Sequence, residues 1–121
     1  MQTVKELLMN ARDLIADPSK WTKGAMARNK DGKLTSPTDE ESVSYCAIGA
    51  LVVCRPIEPY FTTYHKAVRI LNRIAKGRSG DKTIDRFNDS AHRQHWEILK
   101  VFDQAIEGSL CCCKTSYNRY S

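Results

Sequence analysis

Across its 121 residues the chain has no apolar run near the ~18 residues a membrane-spanning helix requires, so it is not expected to span a bilayer. Its start, MQTVKELLMN, lacks a basic region followed by an apolar one, so no secretory signal is expected and a cytoplasmic setting is the default. A disulfide framework fits poorly. The five cysteines are odd in number, and three are the consecutive Cys111, Cys112 and Cys113, which cannot easily bridge one another. No C-x-x-C pair or cysteine–histidine spacing suggests zinc. The glycines make no phosphate loop, because Gly77-Arg-Ser-Gly80 is not followed by Lys-Ser or Lys-Thr. Internal repeats and low-complexity segments are missing too.

What is present is an ordinary globular composition, 41% hydrophobic and 27% charged, in a length that suits one domain and is too short for two. The net charge of +5 is unevenly placed. Through Tyr60, eight basic residues balance eight acidic ones; from Phe61 onward, eleven face six. Within that second half Lys66, Arg69, Arg73, Lys76, Arg78 and Lys82 oppose only Asp81.

The local signals predict a mainly helical domain of four helices, with a small β-hairpin after the first. Thr3-Val-Lys-Glu6 reads as a capping box, and Val4, Leu7, Leu8, Ala11, Leu14 and Ile15 repeat at helical spacing, giving a helix over about 3–17 ended by Asp17-Pro18. Trp21 to Thr35, with Asn29-Lys-Asp-Gly32 as its turn, predicts the hairpin, anchored by Trp21. Ser36-Pro-Thr-Asp-Glu-Glu41 reads as a helix start. The uncharged Ser42–Cys54 stretch that follows, apolar all round the wheel, predicts one buried central helix, with a short strand possible at Val52-Val53. Gly49-Ala50 would be a notch admitting another helix. A third helix is expected over about 63–76, closed by Gly77, and a fourth from an Asn88-Asp-Ser90 cap to Glu107. The domain would span 1–109, with 110–121 a loose cysteine-containing tail.

Enzyme chemistry has one candidate. A cysteine nucleophile needs a base in reach and a group orienting that base, and Cys46, His95 and Asn88 or Asp89 supply the residue types. His95 continues the apolar stripe of the fourth helix, which places it toward the core. That placement favours a packed, structural Cys46 and a hydrogen-bonded core histidine, since a thiol in apolar surroundings is poorly ionised. His92, turned about 60° from His95 on a helix, makes a poor metal site with Asp89. Neither a metal nor a cofactor is expected.

The stronger signal is electrostatic. Lys66, Arg69, Arg73 and Lys76 recur at i, i+3, i+7 and i+10 and so line one helix face, extended by Arg78 and Lys82. Such a face is either ordinary solvated helix surface or a patch for an acidic protein or nucleic acid. Tyr60, Phe61 and Tyr64 precede it and would add aromatic contacts. Binding residues are therefore expected at Lys66, Arg69, Arg73, Lys76, Arg78 and Tyr64.

Trp21-Thr-Lys-Gly-Ala-Met-Ala-Arg28, Tyr45-Cys-Ala-Ile-Gly-Ala-Leu51 and Phe87-Asn-Asp89 occur in that order. Together they resemble a family of small domains of bacteria and their phages, with the motifs W-T-x-G-x-x-A-R, W-C-A-x-G-A-L and W-N-D. Tyr45 and Phe87 stand here where that pattern has tryptophan. The resemblance spans about Leu7 to Ile106 and implies a common fold without an activity to carry over. It points to a non-enzymatic interaction protein, in its concrete version a phage-encoded anti-defence modulator in the host cytoplasm. The expected partner is a host protein or nucleoprotein complex with an acidic surface, with no membrane partner. A nucleic-acid-binding accessory protein using helix 63–76 is the alternative, and a small cysteine hydrolase built on Cys46 and His95 the third.

Overall fold

The computed structural model describes residues 2–110, with side chains through Gly108. The expected tail, Cys111 to Cys113 included, lies outside the described residues. Helix α1 is Val4–Leu14. The Thr3 hydroxyl accepts from the Glu6 amide at 3.1 Å and the Glu6 carboxylate accepts from the Thr3 amide at 2.9 Å, the reciprocal cap expected from the sequence. The helix stops short of residue 17. A residue before proline avoids helical backbone, and Asp17 is extended, its carboxylate capping a 3-10 turn over Pro18–Lys20.

Strands β1 (Ala27–Asn29) and β2 (Leu34–Thr35) form the hairpin, Ala27 opposite Thr35. Asn29 closes it by accepting the amides of Asp31 and Lys33 on its side chain, and Gly32 sits at φ 79. A third strand joins them. Ser42–Tyr45 is β3, antiparallel to β1 in a sheet ordered β2-β1-β3, with a register shift between Arg28 and Asn29.

The single helix expected over Ser42–Cys54 is therefore two elements, with α2 confined to Ala47–Cys54. Ser42 and Ser44 are buried while Val43 is exposed, an alternation of period two. Neutrality alone hid that change of period. Gly49 also has another purpose than the one expected: a Cβ there would fall 2.0 Å from the Met26 carbonyl oxygen, so the notch admits the chain entering β1 and not a helix.

Helix α3 runs over Thr62–Ser79, past Gly77. One exposed glycine costs a helix about 1 kcal/mol, which α3 tolerates. Gly80, at φ 84, supplies the left-handed stop. Before α3, a 3-10 turn over Pro59–Phe61 holds Tyr60 and Phe61 at φ 59 and 48. The fourth helix expected from an Asn88-Asp-Ser90 cap begins later, as α5 (His95–Leu110), and the residues before it form a short helix of their own, α4 (Ile84–Asp89), capped by Thr83. Asn88 lies in the last turn of α4 and does not cap α5.

The core gathers Leu7, Leu8, Ala11 and Ile15 of the first helical segment against Ala67, Leu71 and Ala75 of α3 and Ile98, Val101, Phe102 and Ala105 of α5, all at most 1% exposed. Full burial of a large apolar side chain contributes roughly 1.5–3 kcal/mol, and Leu7, Leu8, Ile15, Leu71, Ile98, Val101 and Phe102 are all fully buried here. α2 and α4 close one end of it through Leu51 and Phe87. No helix among the described residues is long and apolar enough to cross a membrane.

Candidate interaction surface

The inner face of α3 is fixed by Ala67, Leu71 and Ala75, which turns Lys66, Arg69, Arg73 and Lys76 outward. Lys66, Arg69 and Arg73 line one open groove of about 640 Å³. Its opposite wall is the first turn of α1, where Lys5 adds a fourth cation, and Val4 and Ile70 are the apolar residues of its lining. None of these four cations forms an ion pair among the described residues. The nearby carboxylates are committed elsewhere. Asp81, the only acid in this basic stretch, pairs with Arg93 at 3.3 Å. Glu58 accepts the Thr63 amide, a bond that, with a smaller contribution from Lys66, holds its carboxyl below the usual range.

The expected binding residues do not all converge. Arg78 turns toward α5, donating to Gln104 at 3.2 Å. Lys76 is exposed on α3 but does not line the groove. Tyr64 packs against the core beneath Arg55, whose guanidinium lies 5.1 Å from its ring and 4.0 Å from that of Phe61. Burial pushes the Tyr64 phenol up. Of the three aromatics expected to serve the stripe, Tyr60 alone is freely exposed, at 91%.

The residues that carry the sequence resemblance meet elsewhere, around Asn88, which is fully buried. Its amide oxygen accepts from the Trp21 indole at 2.8 Å and from the Ala47 amide at 3.1 Å. Its nitrogen donates to the Thr22 carbonyl at 3.0 Å and to Asp89 at 2.9 Å. Asp89 accepts the Gly24 amide, and the Lys23 ammonium donates to the Ser90 carbonyl. Arg28 donates to the Thr22 hydroxyl and the Lys23 carbonyl, bracing the same loop. One side chain thus ties the loop before β1, the start of α2 and the end of α4.

Among the described residues no hydrogen bond joins Cys46 to His95. Cys46, 5% exposed, is the N-cap of α2, its sulfur accepting the Gly49 amide at 3.3 Å. Burial pushes the thiol up, the Gly49 and Ile48 amides partly offset this, and the carboxylates of Asp89 and Asp85 push it further. With Asp85, Asp89 and the Gly24–Met26 segment it lines a second open cleft, of about 420 Å³, whose charges oppose thiolate formation. His95 is occupied by the Ile15 carbonyl, 2.7 Å from its Nε2, and its ring tilts against Trp21. Among the described residues no group of three His, Cys, Asp or Glu side chains is placed to hold a metal ion.

In comparison with known proteins, a model described as Family of unknown function (DUF6197) matches residues 1–108. The chain belongs to DUF6197. No curated protein and no solved structure matches it. In this DUF6197 member, sequence reasoning missed the role of Asn88 and the contribution of Lys5 to the groove. Asn88 sits in a helix of six residues, too short for periodicity to reveal. Lys5 joins Lys66 only through the packing of α1 on α3.

Proposed function

We propose that this protein is a non-enzymatic binding module whose α3–α1 groove engages an acidic protein surface. The observation that carries the reading is the convergence of Lys5, Lys66, Arg69 and Arg73 on one groove with no ion pair to neutralise them. Exposed charges of one sign raise the local concentration of an oppositely charged partner and speed its encounter. A phage-encoded modulator of a host defence system, the concrete version implied by the resemblance, would act through this groove.

An acidic protein suits the groove better than nucleic acid. Of the three aromatics before α3, Phe61 and Tyr64 are held by Arg55, which leaves Tyr60 alone for stacking on bases, and the lining between the cations includes Val4 and Ile70. The test is fluorescence anisotropy with a labelled poly-glutamate peptide and a labelled 20-base-pair DNA duplex. The double variant Arg69→Glu/Arg73→Glu should lose peptide binding with its thermal unfolding unchanged. Retained binding by the folded variant would return this face to ordinary solvated helix surface. Tighter binding of the duplex, falling steeply with salt as counterions are released, would favour nucleic acid instead.

A further inference from the structure

We infer that the occupant of the groove is an acidic amphipathic helix, laid between α1 and α3 with its apolar side on Val4 and Ile70 and its carboxylates against the basic rims. This rests on the proposed function and adds the chemistry and shape of the partner. The rims are basic on both sides, with Lys5 on α1 and Lys66, Arg69 and Arg73 on α3. Between them Val4 and Ile70 are partly buried and packed against the core, so they present a fixed apolar strip and not a mobile one.

A free phosphate or a bare polyanion would satisfy the cations and leave that strip wet, whereas a segment with both characters covers it. The position of the groove favours a helix. Two packed helices leave a furrow into which the side-chain ridge of a third fits. The cations sit at i, i+3 and i+7, spanning about 10 Å of axis, a rise that acids spaced three and four apart on a facing helix reproduce. Helix-in-groove recognition reads i, i+3, i+4 and i+7 anchors in this way.

The probes are three fluorescein-labelled 18-residue peptides of identical Glu, Leu and Ala composition. One carries leucine at i, i+3, i+4 and i+7, one alternates leucine and glutamate, and one is scrambled to remove any apolar face. Anisotropy titration of the full chain should show the helix-patterned peptide binding at least tenfold more tightly than the other two, with induced helical circular dichroism. Equal affinity for all three overturns the inference while leaving the electrostatic reading intact. Loss of all three in Arg69→Glu/Arg73→Glu supports that reading, and their retention sinks both.

Ile70→Ala supplies a second arm. It should reduce the helix-patterned peptide's affinity at least fivefold and leave the scrambled peptide unaffected, with folding checked by thermal melting. If the variant melts early, the comparison of the three peptides on the unaltered chain decides the question alone. Preference for the alternating peptide would mean an extended partner and overturns the helix.

Discussion

Removing the side chain of Asn88 should separate three parts of the molecule at once. In Asn88→Ala the Ala47 amide and the Trp21 indole lose their acceptor. The Ala47 amide is buried, so it incurs the desolvation cost of an unmade hydrogen bond, about 1–3 kcal/mol. Trp21 is half-buried and its loss sits at the low end of that range. Together these give about 2–4 kcal/mol, a large share of the 5–15 kcal/mol typical of a domain. Urea unfolding followed by tryptophan fluorescence measures it, with a Trp21→Phe double-mutant cycle isolating the coupling between the pair. Asn88→Asp sharpens the test. It keeps the acceptor but sets a second oxygen against the Thr22 carbonyl and Asp89. Buried beside a carboxylate, the introduced acid keeps its proton above the ordinary aspartate value of about 3.9. Its folded-state pKa is raised, so the variant is penalised least below about pH 4 and loses about 1.4 kcal/mol per pH unit above that until the folded form ionises. A cost under about 1 kcal/mol for Asn88→Ala would refute the claim that this residue holds the joint.

Gly49→Ala places a Cβ on the Met26 carbonyl, which also accepts the Cys46 amide at 3.2 Å, so denaturant titration should show a loss of at least about 2 kcal/mol. A stable variant would show that the chain before β1 can retreat. Because Cys46 is a helix cap, Cys46→Ser should lie within about 0.5 kcal/mol of the parent and Cys46→Ala should lose about 1 kcal/mol. With Cys54, Cys111, Cys112 and Cys113 replaced by serine, native Cys46 should resist a thiol reagent at neutral pH. Its thiol is raised above the unfolded value of about 9.0, so stability should also fall as pH rises past that point. Rapid native labelling at pH 7 would revive a reactive cysteine.

Where a sequence pattern was long and regular, it located the structure. The Thr3–Glu6 box and the apolar repeat behind it placed α1, and the stripe from Lys66 to Lys76 did face solvent. Illegible features depended on a neighbour distant in the chain. Ser42–Tyr45 is a strand because β1 is there to pair with it, and its four residues are too few for an alternation to stand out against the apolar helix beyond. Gly77 looked like a stop because glycine often is one, but Gly80, three residues on, takes the left-handed conformation. Half of the groove was visible as α3 cations; the wall bearing Lys5 required the packing of α1. The Asn88 joint left no periodic trace, since its partners are other single residues brought together by the fold.

The bonds of Asn88 also bear on the order of folding. Three of the four join residues 41 to 67 positions apart, whereas the helical hydrogen bonds reach four positions along the chain. Closing so long a loop costs entropy before any of these bonds can offset it. The docking of α1 on α5 joins residues further apart still, 91 positions for Arg12 and Asp103, so chain separation does not by itself rank the joint after the core. Contacts that form after the transition state act on the rate of coming apart and hardly on the rate of assembly. Faster unfolding of Asn88→Ala at an unchanged folding rate would mark the buried asparagine as a latch, one that sets how long the native molecule lasts and not how quickly it is made.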